Sequence, residues 1–348
     1  MTDNKTLSLF THLLDFPSPP GVEDLIADEV QAQVSKIGFH PERDGAGNIT
    51  VAVDGKNSSL GRSVFAAHMD ELAMVVQGID DSGDLRATRL GGLYPAKLGE
   101  GPVDILGGVS TVKGIFSFGS MHRRDAEKFE YTWESARIIT GLSQQELRER
   151  GVLIGTTAVP SREMRGPVIM GPESDPLVAS WTFDDRIGVV TLLLLLETIK
   201  SRKIVPNRPT TFAFTVHEEG GCHGAKNVAR RLEPEVFIAV DGCPMPPGTS
   251  IAMDGRPGVW CKDSHIQFDR RLIDDLCSAA EKAGTELQRV VYDSAASDAS
   301  AVYAAGFADR VATVGHVREN SHGYEVARLS VFDNLLSTLT EFLIGWDG

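Results

Sequence analysis

Three segments of this chain run as unbroken apolar stretches and stop abruptly on side chains that bind cations. They are SVFAAHMDE with His68 and Asp70, TTFAFTVHEEGG with Glu218 and Glu219, and VFIAVDG with Asp241. Short continuous apolar runs read as buried strands, and in open α/β sheets ligands gather outside the carboxyl ends of such strands. A charge at one strand end marks only where a strand reaches solvent. His, Asp and Glu delivered by three independent strand ends point to a shared site.

His68 and Asp70 are separated by one residue, so in extended backbone both face the same way. The pair suits an imidazole on a metal and a carboxylate that fixes its tautomer and orientation. Glu218 and Glu219 are adjacent carboxylates, which repel one another and resist burial unless a cation lies between them. The division of labour this implies is one glutamate on a metal and the other accepting a proton from water that the metal acidifies. Asp184 opens a long apolar helical stretch, where the helix dipole favours a carboxylate and an isolated Asp reads as a cap. His322, in VRENSHGYE, is an imidazole of the kind zinc and cobalt accept, although a single histidine in a polar loop is more often solvated.

Other chemistries lack their signatures. No GxSxG elbow or thiol-protease motif is present, and no GxxxxGK[ST] loop points to phosphate transfer. The four cysteines, Cys222, Cys243, Cys261 and Cys277, have no regular short spacing, which excludes a disulfide framework or zinc knuckle. Cys222 and Cys243 read as small buried hydrophobes near two of the strand ends.

The elements that must position these residues follow from periodicity. Leu7, Phe10, Leu13 and Leu14 recur at helical spacing until Pro17, Pro19 and Pro20 break the helix, and a second helix is predicted over 22–37. Strands are predicted at 49–53, 64–67, 210–216, 236–240, 289–292 and 311–314, with helices at 187–200, 224–232, 272–283 and 330–343. This alternation implies an α/β fold with a mixed, mostly parallel sheet flanked by helices. From 75 to 172 the chain is rich in Gly, Val and Thr, with alternating stretches such as GPVDILGGVSTVKGIFSF, which predict small antiparallel strands. A charged helix is expected over 126–151 on the outside of that module. The expected plan is a discontinuous catalytic domain, 1–74 and 173–348, interrupted by a β-rich domain, 75–172.

Composition sets the outer limits. The chain has 348 residues, 42% of them hydrophobic, and a formal net charge of −14. That is ample material for a core, and the ordinary apolar fraction excludes disorder. The acidic balance excludes a phosphate-tracking nucleic-acid binder. The longest apolar run, 187–196, is about half of what a bilayer span needs. The opening residues, MTDNKTLSLF, lack a secretory pattern, so a cytoplasmic protein is expected.

An ordered set of motifs runs through nearly the whole chain: PPGVED, GNITV, AAHMDELAMVV, the LGG at 90–92, RERGVLIGT, FDDRIG, VHEEGGCHGA, VDG, GRPGVWCKD, SDASAVYAAG and SHGYE. Together they resemble the tetrahedral (TET) and glutamyl-aminopeptidase family of dinuclear metallo-aminopeptidases. The resemblance implies a dinuclear zinc-peptidase-like fold whose inserted domain is a PDZ-like or dimerisation module. It implies two divalent ions per subunit, zinc or cobalt or else manganese, bridged by Asp184. His68 and Asp241 would complete one metal site, Glu219 and His322 the other. Glu218 would be the general base and Asp70 the partner of His68. The implied substrates are short peptides with a free N-terminus, and the implied assembly is a homo-oligomer, dimers building a dodecamer.

The chain departs from the family pattern at several places. Ala73 stands where Gly is usual, Gly220 where Val or Ile is usual, and His217 and His223 flank the paired glutamates in place of Gln and Arg. The Arg318–His322 segment is longer than the usual Arg-Tyr-x-His run. These changes leave the expected ligands in place and bear on substrate preference. His316, His122 and Trp133 carry no expected role. Three alternatives stay open: a related dinuclear carboxypeptidase or deacylase, an endoglucanase-type glycoside hydrolase using paired carboxylates, and a non-catalytic peptide-binding protein.

Overall fold

The computed structural model describes residues 4–122 and 126–348. Its frame is an eight-stranded sheet. In chain order the strands are β1 (Glu42–Arg43), β2 (Ile49–Val53), β3 (Ser63–His68), β4 (Thr210–Thr215), β5 (Val236–Val240), β6 (Gly258–Lys262), β7 (Gln288–Val291) and β8 (Arg310–Gly315). They lie in the order β1-β2-β4-β3-β5-β8-β6-β7. β3 pairs parallel with β4 and β5, β5 with β8, and β6 with β7. Antiparallel joints occur at β1/β2, β2/β4 and β6/β8. Every residue of β3, β4 and β5 is buried, which is why these strands read as continuous apolar runs rather than alternation.

Helices α2 (Asp24–Ile37), α3 (Phe183–Arg202), α5 (Arg270–Lys282) and α7 (Ser330–Gly345) pack along this sheet, with α1 (Lys5–Leu13) against α3 and α5 also against α7. α4 (His223–Leu232) and α6 (Asp298–Ala304) form a second group on β4, β5 and β8. The middle of α3 is buried on every side, from Ile187 to Leu196. Among the described residues no helix is long and apolar enough to cross a membrane. The predicted fold class, a mixed and mostly parallel sheet flanked by helices, is the one observed.

Between β3 and α3 six antiparallel strands close into a barrel: Ala73–Ile79, Leu85–Leu90, Gly101–Leu106, Thr111–Ser117, Arg137–Ile139 and Thr157–Pro160. Its core is separate and includes Met74, Leu85, Val103, Ile105, Phe116 and Ile138. The charged stretch expected as one helix over 126–151 is instead a 3₁₀ turn (Ala126–Lys128), a barrel strand (Arg137–Ile139) and a short helix (Gln144–Glu149). Tertiary pairing overrides local helix propensity here: Ile138 pairs with Leu85 and Phe116 inside the barrel core. Gly141 then turns the chain at positive φ, and a Ser143–Glu146 capping box starts the helix afresh.

A smaller five-stranded sheet matters most for the site. Its order is Val168–Met170, Leu177–Ser180, Glu325–Arg328, Val317–Glu319, Cys243–Pro244. One strand leads into Asp184, two others bracket the loop holding His322, and a fourth follows Asp241. This sheet therefore carries residues distant in sequence to the carboxyl edge of the large one.

Candidate metal centre

The large sheet changes direction at β3. The chain leaves β3 for β4 on one side and then crosses to β5 on the other, which opens a crevice at the three carboxyl ends. His68 ends β3, Asp241 follows β5 directly, and Glu218 and Glu219 lie in the turn from β4 into α4.

Asp184 sits at the middle of the arrangement. Its Oδ1 is 3.1 Å from His68 Nε2, and its Oδ2 is 3.6 Å from His322 Nε2. Glu219 Oε1 approaches His322 Nε2 to 3.9 Å. Two donor sets result, His68–Asp184–Asp241 and Asp184–Glu219–His322, each with its ligand atoms within 4.8 Å of one another, and they share Asp184. His322 Nδ1 is 3.1 Å from the carbonyl oxygen of Gly92, a bond that orients the ring.

Asp184 is not the helix cap that its position alone implies. Asp184 and Asp185 both have non-helical backbone, so α3 winds only after them. Asp185 is the capping residue, its Oδ1 accepting from the Gly188 N–H at 3.0 Å. This frees Asp184 to face the crevice.

Asp70 holds the paired glutamates. Its two carboxylate oxygens accept the backbone N–H groups of Glu218 (2.9 Å) and Glu219 (3.0 Å). Toward His68 its backbone carbonyl is the nearer partner, 3.1 Å from Nδ1, with the carboxylate at 3.6 Å.

The electrostatics are those of a cation site. Burial first, with Asp184 and other carboxylates adding to it, pushes Asp241 up to about 7, and burial pushes Glu219 to about 7 as well. Burial also raises Glu218 well above the carboxylate range. Burial works against ionised Asp184 too, but the Arg318 guanidinium and then His68 outweigh it and hold Asp184 well below the usual range. Glu219 Oε1 is buried with no hydrogen-bond partner among the described residues. An orphaned buried carboxylate oxygen beside two imidazoles and three further acids is what divalent cations would satisfy. The residues present fit two such ions.

Several residues that support the site are not among the expected ligands. Arg318 pairs with Asp184 Oδ2 and, through Nε, with Glu325 Oε1 at 2.7 Å. Glu325 Oε2 in turn accepts the Asp184 N–H at 3.0 Å, so the pair clamps Asp184 from two directions. Asp298 Oδ2 accepts from Thr215 Oγ1 at 2.7 Å behind the glutamate turn. His316 is fully buried against the rings of Phe183 and Phe332 and belongs to neither donor set. His217 packs near Glu23, and His223 is exposed at the start of α4.

A cleft of about 910 Å3 opens over the centre, lined by Asp184, Glu218, Glu219, Asp241 and His322 together with Tyr94, Trp260 and Lys226. Its size suits a small organic ligand rather than a single ion.

Comparison with known proteins bears on the family and the fold. The chain is 26% identical over 247 residues to the glutamyl aminopeptidase of Lactococcus lactis, a match covering 67% of this chain and 65% of that relative, slightly under two thirds of its length. The TET aminopeptidase of the marine sediment archaeon Thaumarchaeota archaeon SCGC AB-539-E09 shares the fold, with a TM-score of 0.88 at 21% identity over 100% of this chain and 98% of that one. The TET1 peptidase of Pyrococcus horikoshii, which can assemble into a tetrahedron or a large octahedral shell, superposes with a TM-score of 0.84 at 23% identity, covering 98% of this chain and 100% of the other. The family model for M42 glutamyl aminopeptidase matches residues 47–337. The chain belongs to the M42 glutamyl aminopeptidase family.

Proposed function

We propose that this protein is a metal-dependent aminopeptidase that removes N-terminal residues from short peptides. The observation that carries the reading is Asp184, whose two oxygens face His68 on one side and His322 on the other, so that two donor sets share one carboxylate. In this reading His68, Asp184 and Asp241 hold one divalent ion, and Asp184, Glu219 and His322 hold a second. Imidazole and carboxylate donors suit zinc, cobalt or manganese. Bound there, the ions supply Lewis acidity toward a carbonyl oxygen and toward water.

The rest of the work falls to side chains. Glu218 takes a proton from the attacking water and returns it to the leaving amine, a role its raised pKa supports. Asp70 keeps both glutamates in place through their backbone N–H groups. Arg318 and Glu325 fix the orientation of Asp184. The acidic wall of the cleft attracts the free amine of a peptide, which favours cleavage from the N-terminus. We further propose that 75–172 acts as an inserted dimerisation domain between the two parts of the catalytic domain, in a cytoplasmic homo-oligomer.

Related carboxypeptidase, deacylase and endoglucanase readings make different predictions for the same assay. The test is a panel of free and N-acylated aminoacyl-anilides with zinc, cobalt or manganese, with and without chelator. Hydrolysis of free-amine substrates that chelation abolishes is expected. Activity confined to acylated substrates, or untouched by chelation, overturns the proposal. Glu218→Gln is expected to retain its metals and lose turnover by about 10²–10⁴-fold; parent-rate hydrolysis by that variant would reject Glu218 as the base.

A further inference from the structure

A third cluster of donors lies beside the two just described, and it includes a sulfur. Cys222, heading α4 with positive φ, places Sγ 3.4 Å from Glu218 Oε1. The ligand atoms of Glu218, Cys222 and Asp298 all lie within 4.8 Å of one another. Asp298, at the first turn of α6, is only 3% exposed. Its Oδ2 is taken by Thr215, while its Oδ1 is buried without a hydrogen-bond partner among the described residues. An orphaned carboxylate oxygen beside a thiol and a second carboxylate is an unfilled donor position.

We propose that Cys222, Glu218 and Asp298 form a distinct inhibitory site for a thiophilic divalent cation, such as zinc or cadmium, whose occupation withdraws Glu218 from its part in hydrolysis. The proposal rests on the reading of Glu218 as the general base. Sulfur with two carboxylates suits zinc and softer ions and leaves a position open to solvent. Glu218 and Cys222 both line the cleft, so an ion reaches the cluster from the same side as substrate. Binding forms a sulfur–metal bond and sends the thiol proton to solvent, along with any proton held by the two carboxylates, with no change of oxidation state. Charge permits a third ion: the carboxylates of the dinuclear centre, with Asp70, Glu325 and Asp298, outnumber the positive charge of Arg318 and two divalent ions.

The expected dinuclear donors contain no sulfur, which makes the third site separately visible. The chain loaded with two equivalents of zinc is titrated with cadmium, following bound metal per chain, near-ultraviolet sulfur-to-metal charge-transfer absorption, and peptide hydrolysis. The parent chain is expected to take up a third equivalent with such a band, and hydrolysis to fall by about a hundredfold, a general base's share. Cys222→Leu should keep the first two equivalents but lose the band, the third equivalent and the sensitivity to cadmium. Cys222→Ser, closer in size, should lose the band in the same way, and Asp298→Asn should weaken the third equivalent by at least about tenfold. A parent chain that gains no band, or a band that survives in Cys222→Ser, overturns the proposal. Absence of hydrolysis under every condition speaks against the aminopeptidase reading instead, and the band still decides this one.

Discussion

At the scale of single residues, the proposed centre depends on groups that hold its expected ligands as much as on those ligands. Arg318 is fully buried and offsets two buried carboxylates, Asp184 and Glu325. Replacing it with Met leaves Glu325 without a cation and Asp184 with only the imidazoles of His68 and His322, so Arg318→Met should destabilise the metal-free protein by about 3–5 kcal/mol, read from urea unfolding under chelator. Divalent ions restore charge beside Asp184, so the deficit should shrink when they are added; an equal deficit in both conditions would show that Arg318 acts by packing alone. Asp70→Asn keeps the shape but offers one acceptor where two N–H groups point, at a loss of about 1–3 kcal/mol and with lower turnover. Unchanged stability and rate in that variant would remove Asp70 from the support of the glutamate turn. These residues also mark what was legible in the chain. His68, Glu218, Glu219 and Asp241 stood out because a buried strand ends on each of them or just before. Arg318 and Asp298 did not, because their partners Asp184 and Thr215 lie 134 and 83 positions away and no local pattern records such a pairing.

At the scale of elements, the turn between β4 and α4 is held by backbone packed on backbone. The Gly224 N–H donates to the Val216 carbonyl at 3.0 Å, and a β-carbon on Gly224 would run into the Val216 backbone and the Asn48 side chain. The backbone cannot yield, and the Asn48 side chain is pinned by the Val216 N–H and Asp44, so Gly224→Ala should lose about 1–3 kcal/mol and displace the turn carrying Glu218 and Glu219, lowering turnover with it. Gly220, in the same turn, is the control. It has no positive φ, and a β-carbon there meets nothing nearer than His217 Nδ1 at 3.4 Å. Gly220→Ala should therefore stay within about 0.5 kcal/mol of the parent in thermal or urea unfolding. Equal losses in the two variants would contradict this account of the turn. Periodicity located the buried strands well, since β2 and β5 run where their apolar stretches begin and end. It failed over 126–151, where charged residues with helical spacing are pulled into a barrel by partners that arrive from 85 and 116.

At the scale of the whole molecule, the concentration of acid at one edge couples folding, pH and metal. In the metal-free chain Glu219 and Asp241 titrate near 7 and Asp298 near 6, above the range of an unfolded carboxyl, because burial disfavours their charged forms. His68 is also raised, since Asp184 and Asp70 outweigh the effect of its burial. Groups whose folded pKa is raised bind more protons in the folded state, so their stabilisation is complete below the unfolded pKa and is lost as pH rises through the folded one. Asp184 has the opposite shift, and its contribution, lost only on acidification, stays constant across this window; His316, which burial holds neutral, opposes the trend, one group against the four just named. The metal-free protein should therefore become less stable from pH 5 to pH 8. Cations reverse the sign: they bind the deprotonated donors, their affinity grows as pH rises, and that affinity is added to the folded state. Urea midpoints measured across this range with chelator and with saturating zinc should have opposite slopes, and proton release on metal uptake should diminish toward pH 8, where fewer donors still carry a proton. Parallel slopes would mean that the buried acids of this edge are not where the cations bind.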